Sequence, residues 1–273
     1  MLVKRFDSAQ EFLDATKDFR ASELVRTNLI SSIASSVASG VRKYEECFWW
    51  AALENEKIVG LAIRTAPFGY VISPMDSEVI EPLTSKIREV DSAAKEFAGP
   101  KVVIEQIEKL LAVPILEEEG ELIYSLSQLK EPATVGEIRV ANETDFDLIY
   151  KWMVDFIKET GIRAFDIESA VRNNIAKGFI FLLLIDGQPV SFAGFHDPVE
   201  LLGKKIGRVG PVYTPKEFRK NGYASLITAH VTKKVIDQGA IATLYTQAGN
   251  PTSNKIYQEL GYVLVDENRR IKI

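Results

Sequence analysis

A chain of 273 residues, 46% hydrophobic and 26% charged, can form one large domain or two small ones, each with its own core, and its composition argues against disorder. A net charge of −5 argues against general binding to nucleic-acid phosphates, while leaving room for a local basic loop. With a single cysteine, Cys47, and two histidines, His196 and His230, neither a disulfide framework nor a Cys/His metal cluster can be assembled, so no metal is expected.

The opening M-L-V-K-R-F carries charges where a signal peptide needs an apolar core, and no window approaches ~20 uninterrupted apolar residues. A cytoplasmic protein with no membrane partner is expected. Residues 8–20 and 22–39 show helical spacing. Two apolar runs flanking Glu54 to Lys57 then read as a hairpin. Cys47, beside Phe48, Trp49 and Trp50 with no histidine nearby, reads as a buried structural thiol. Residues 70–73 make a third strand, an acidic helical segment follows Pro74, residues 93–111 read as a longer helix interrupted at Gly99-Pro100, and L-I-Y-S-L is a strand.

Residues 130–137 are polar and aperiodic and contain Pro and Gly, which places a boundary between units at 1–132 and 136–273. Beyond it, a strand at 138–141 precedes helices at 143–159 and 167–176. Strands at 179–185 and 190–195 flank the turn Asp186-Gly187. A strand ending at Tyr213 then leads through a charged loop into a helix over 222–238. A strand (241–247), a helix (251–260) and two short strands near 262–265 and 270–273 complete the chain.

The loop before the 222–238 helix is the most informative stretch. Arg219, Lys220 and Asn221 are delivered to a helix start whose first N–H groups have no intrahelical partner. Gly222 lets the backbone approach an anion closely, and Tyr223 and Ala224 open the first turn, Ala224 without bulk. The order R-x-x-G-x-A is neither the dinucleotide fingerprint nor the Walker motif. It resembles the pyrophosphate loop [RQ]-x-x-G-x-[GA] of the GNAT superfamily of acetyl-CoA-dependent N-acetyltransferases. The element order over 137–273 is also similar to that family's topology.

The resemblance implies an α/β (α+β) fold with a mixed, mostly antiparallel sheet flanked by helices. It further implies transfer of an acetyl group from acetyl-CoA, as cosubstrate, to a primary amine by direct attack through a tetrahedral intermediate. Gly210-Pro211 interrupts the strand before the loop, since proline cannot donate to a ladder; the interruption reads as a bulge or as an edge strand. In the family the matching strand is bulged, which would give Val212, Tyr213 and Thr214 to the pantetheine arm. The segment G-N-P-T-S-N-K-I-Y resembles a further family motif and implies that Asn250 and Ser253 contact the cosubstrate while Tyr257 protonates the leaving thiolate. Asn250 is also a good N-cap, and Tyr257 reads equally as a core aromatic.

For the base the chain offers His196, Asp197, Glu200 and Glu217, with a water relay or His196 as the choice; His230 reads as a solvent or packing residue. A shift of 131 positions sets Phe48 on Phe179 (179 − 48) and Trp50 on Phe181, with the hairpin turns in register. Two tandem GNAT-like domains are therefore expected, the first degenerate because S-P-M-D-S-E-V stands where the second has the basic loop. The acceptor is a small-molecule or peptide amine, with no nucleic acid, in a monomer or homodimer. The alternative is a non-catalytic acyl-CoA-binding or protein-interaction module.

Overall fold

The computed structural model describes residues 1–164 and 166–273. Its first half runs β1 (Leu2–Phe6), α1 (Ala9–Ala15), α2 (Lys17–Ser22), α3 (Asn28–Ala38), β2 (Cys47–Glu54), β3 (Lys57–Thr65), β4 (Tyr70–Ile72), α4 (Ser77–Val90), β5 (Glu96–Pro100), α5 (Lys101–Leu111) and β6 (Glu117–Leu126). The second half follows as β7 (Glu137–Val140), α6 (Phe146–Thr160), α7 (Ile167–Ala176), β8 (Ile180–Ile185), β9 (Gln188–Phe195), β10 (Val199–Leu201), β11 (Lys204–Tyr213), α8 (Tyr223–Ile236), β12 (Ala240–Gln247), α9 (Pro251–Glu259) and β13 (Tyr262–Lys272). Among the described residues no helix is long and apolar enough to cross a membrane.

All strands join one sheet in the order β1-β2-β3-β4-β5-β13-β6-β12-β11-β9-β8-β7, with β10 attached to β11. Its neighbours are antiparallel except at β4–β5 and β11–β12. The halves exchange their last strands. From the first half, β6 pairs with β12 and β13 of the second, while β13 pairs with β5 of the first. Ile271, near the C-terminus, is accordingly buried in the first half's core with Phe97, Ile104 and Ile107.

The hairpins repeat in detail. The β2–β3 register slips between Ala52 and Leu53, and the β8–β9 register slips between Leu183 and Leu184, the same 131-residue offset (183 − 52). A bulge at equivalent positions is a structural feature a shared hairpin pattern alone would not require. After the hairpin the halves diverge. From Ile72 the first chain passes through residues 73–76 into α4, whereas from Tyr213 the second takes the longer stretch 214–222 to reach α8.

Three sequence expectations are corrected. The segment 93–100 is not the start of a helix: Glu96–Pro100 forms β5, its alternate residues Phe97 and Gly99 facing inward against β13 and β4. The two short terminal strands are one, β13, held together across a bulge at Leu264–Asp266 by the full length of β6. The two opening helices are three, and β10 forms a hairpin with the start of β11 through Leu202-Gly203, whose positive φ angles of 49° and 75° turn the chain. Cys47 is free and half-buried, its thiol pushed up by burial.

Because Ile271 is 0% exposed in the other half's core, Ile271→Ala is expected to lower stability by about 2–4 kcal/mol. Chemical denaturation should show one shared transition moving as a unit. Two transitions with the first-half midpoint unchanged would contradict the exchange of strands.

Candidate active site

The site begins where two parallel strands part. β11 pairs with β12 from Lys205–Ala240 to Val209–Leu244 and no further, and its register against β9 shifts between Val209 and Val212. Pro211 has no N–H to offer a neighbour, and Gly210 takes φ +136°, so the ladder cannot continue straight through this point. Backbone groups of β11 beyond Val209 and of β12 beyond Leu244 are left facing a gap. Upstream the strand is tightly seated: a Cβ at Gly207 would stand 2.6 Å from Val235 of α8.

Beyond the gap the strand is anchored on its other side. Ser191 Oγ donates to the Tyr213 carbonyl at 2.8 Å and shares a 2.8 Å bond with the Thr214 hydroxyl. Val212 pairs with Ala193, and the Tyr213 phenol donates to Glu159 Oε1 at 3.1 Å. Burial first, and the Glu159 carboxylate second, push the Tyr213 phenol up to about 12.

The basic loop has a different charge arrangement from the one the sequence leads one to expect. Arg219 does not point a free guanidinium at the helix start: Nε donates to the Thr214 carbonyl at 2.9 Å and Nη2 pairs with Glu159 at 2.5 Å. For Glu159, burial opposes ionisation, but the bonds from Arg219 and Tyr213 outweigh it and hold the carboxyl below its usual range. Arg219 thus shapes the loop. Glu159 lies 60 positions away on α6, and nothing in its local sequence marks it.

Asn221 closes the turn by donating to the Phe218 and Arg219 carbonyls at 3.1 and 3.2 Å. Lys220 is exposed, with φ +68°. Gly222 opens α8 at φ +79°, and no side chain caps the N–H groups of Tyr223, Ala224 and the next residue. A Cβ at Gly222 would meet Thr134 Oγ1 at 2.1 Å, so the linker between the halves lies against this turn. Such a helix start leaves N–H groups open beside a lysine, an arrangement in which negative charge is favoured.

The helix α9, packed on β13 and α8, carries the remaining expected residues. Asn250 Oδ1 accepts from the Ser253 N–H at 3.1 Å, which makes Asn250 the helix cap. Tyr257 packs between Tyr124 and Tyr262, with ring centres 6.5 and 6.3 Å away. Burial raises its phenol to about 12, with the Ser253 side chain pulling the other way.

Of the expected bases, Asp197 is exposed and paired with Lys177, Glu200 pairs with Lys205 at 3.5 Å, and Glu217 is exposed. His196 alone lies deep, its backbone N–H bonded to the Arg208 carbonyl at 2.9 Å. Burial, then the charges of Arg208 and Arg42, hold its pKa well below 6.5. His230 sits edge-on to Phe181 at 5.2 Å, as packing. Among the described residues no group of three or more His, Cys, Asp or Glu is placed to hold a metal ion.

The FR47-like protein family matches residues 199–271, which span β10 to β13. No curated protein matches the chain by sequence. Solved structures match its whole length. A GNAT-family acetyltransferase from Colwellia psychrerythraea superposes with a TM-score of 0.62 at 14% identity, covering 100% of both chains. A tandem GNAT protein from the clavulanic acid biosynthesis pathway gives 0.61 at 9% identity over 100% of this chain and 98% of its own. A GCN5-related N-acetyltransferase from Sphaerobacter thermophilus gives 0.61 at 10% identity over 99% and 95%. At such identities the likeness concerns architecture: from end to end the chain has the GNAT fold, and over residues 199–271 it carries the FR47-like pattern.

Proposed function

We propose that the second half, residues 136–273, binds acetyl-CoA and transfers its acetyl group to a primary amine. The observation that carries this reading is the parting of β11 and β12 after Val209–Leu244 beside the uncapped start of α8. The gap offers unpaired strand backbone to an extended amide-bearing arm. The helix start, with Lys220 and Gly222, offers N–H groups and one free charge to a diphosphate. The first half lacks the equivalent loop, so one cosubstrate per chain is expected, with residues 1–132 serving as a degenerate second copy that walls the site.

In this reading the amine nitrogen attacks the thioester carbon, the C–S bond breaks, and sulfur leaves with its electron pair while the nitrogen gives up a proton. A strand N–H beside the bulge polarises the carbonyl. Tyr257 and His196 lie on opposite faces of the sheet, so sulfur can leave towards α9 while the amine enters from the other side. A phenol at about 12 stands roughly 3.5 units above a thiol, near 5 kcal/mol against full proton transfer in the resting site. Tyr257 is therefore assigned as a hydrogen-bond donor to the departing sulfur rather than as a strong acid. His196, kept neutral at pH 7 by its burial, is the base that takes the nitrogen's proton, directly or through water.

Titration calorimetry tests the binding. Lys220→Glu is expected to weaken acetyl-CoA by about 10- to 100-fold, about 1.4–2.7 kcal/mol, with wild-type stoichiometry of one. The same change at Lys255, exposed on α9 and paired with Glu259, should leave affinity unaltered. Equal effects at both positions would place the anion elsewhere.

Tyr257→Phe is expected to lower kcat about 10- to 100-fold while acetyl-CoA affinity holds. Full turnover in that variant would favour the core-aromatic reading and the acyl-CoA-binding module. A depressed histidine pKa leaves the neutral base complete above it and lost only as pH falls through it. Once the acceptor's own ionisation is divided out, the acid limb of kcat/KM should therefore lie below pH 6.5 and vanish in His196→Ala. A limb centred at or above pH 6.5 would remove His196 from the role.

A further inference from the structure

The face of the sheet turned away from α8 gathers polar side chains that neither the fold nor the phosphate loop uses. Phe195, Val209, Leu244 and Tyr124 point into the core with α8. By strand alternation His196, Arg208, Tyr245 and Glu121 project from the opposite face. All four are half-buried, so each keeps part of its surface open on this face of the sheet.

Two of them, Arg208 and Tyr245, have polar groups to spare. Arg208 lies 5.3 Å from the centre of the Tyr245 ring, and among the described residues no carboxylate pairs with it. Burial lowers its pKa, with Tyr245 and Glu121 pulling it back and Arg42 depressing it further. Glu121 is held above the usual carboxylate range by burial, against the pull of Arg208 and Asn268. The Tyr245 hydroxyl is buried without a hydrogen-bond partner, and it faces the backbone N–H of Leu29. Leu29 is in the first turn of α3, which has no side-chain cap, and its neighbour Asn28 has a buried, unpartnered Oδ1. The first half thus aims the positive end of a helix at the cleft beside an unpaired guanidinium.

A desolvated guanidinium without a counter-ion is costly unless a ligand supplies the anion. Its place is informative. Arg208 precedes and Tyr245 follows the last β11–β12 pair, Val209–Leu244, so they flank the point where the strands part. Resting on the acetyl-transfer reading above, we propose that this cleft is the acceptor site and that the acceptor is an amine carrying a carboxylate near its nitrogen, an amino acid or a small relative of one. Arg208, the Tyr245 hydroxyl and the first amides of α3 hold the carboxylate. Glu121 faces the nitrogen, and His196, joined through its backbone to Arg208, takes the proton the ammonium loses before its freed lone pair attacks, while the second proton shed on collapse ends on the departing sulfur. An amine without a carboxylate brings only positive charge against Arg208 and the start of α3. The first half is then part of the site and not merely a vestige.

CoA release should be measured with a panel of L-amino acids, each against its own α-carboxamide, together with a polyamine, for wild type and for Arg208→Gln. The preferred amino acid is expected to exceed its carboxamide by at least about 100-fold in kcat/KM, and Arg208→Gln to collapse that ratio to within about threefold, mostly through KM for the amino acid. Acetyl-CoA affinity by calorimetry, and melting temperature, monitor folding. Should the glutamine variant be unstable, Arg208→Lys, which keeps the charge and loses the fork, is expected to give an intermediate ratio. A purely structural Arg208 would lower both substrates alike and leave the ratio standing, which overturns the assignment. Equal rates for amino acid and carboxamide, or preference for the polyamine, also overturn it while leaving acetyl transfer intact. Failure to bind acetyl-CoA at all would instead remove the reading on which it rests.

Discussion

The strand β6 is the constraint on which the rest of the molecule depends. It comes from the first half, lies between β12 and β13 of the second, and leaves neither half a complete sheet of its own. It also brings two side chains to the site from a distance: Tyr124, against which Tyr257 packs, and Glu121, on the other face. Its outer arm reads E-E-E-G-E and would repel itself. Across the strand it meets Arg269 to Glu118 at 2.7 Å, Arg270 to Glu119 at 2.7 Å and Lys272 to Glu117 at 2.5 Å. The acid of each pair is exposed and its cation half-buried, and a one-residue slip would misplace all of them, so together they fix the register.

With that frame in place, the two halves use one plan to different ends. Their hairpins match to the position of the bulge, and each half has a parallel pair, β4–β5 or β11–β12, next to its hairpin. What differs is the connection into the following helix. In the second half the long turn at 214–222, tied down by Arg219, Glu159 and Thr214, presents an open helix start. In the first half α4 starts at once, with Asp76 at its cap and Glu78 in its first turn. That connection is shorter than its counterpart, 73–76 against 214–222, and is fronted by acids. The first half contributes the strand β6 to the second half's sheet.

Much of this was legible in the sequence where short-range physics decides. Periodicity locates the helices of the second half to within three residues, and the turn glycines and Asn250 follow from their backbone requirements. Pro211 marked the interruption of β11 because a missing N–H is a local fact. The misreadings came from long-range pairing. Residues 93–100 look helical alone and become a strand only because β13 arrives beside them. The acidic arm of β6 looks like a solvated loop until the basic residues of β13 are laid against it. Arg219 looks free until Glu159 is brought from α6, and Arg208, Tyr245 and Glu121 carry no motif at all. Their significance is that three strands place them together while, among the described residues, Arg208 has no paired carboxylate and the Tyr245 hydroxyl no hydrogen-bond partner.

The central claim, that acyl-CoA enters the gap between β11 and β12 of the second half only, is tested most directly by amide hydrogen exchange with and without acetyl-CoA. The account predicts added protection confined to residues 210–214 and to the first turn of α8, 222–225, with the first-half counterpart at 73–79 unchanged. Protection at 73–79, or none at 222–225 under saturating acetyl-CoA, would contradict it.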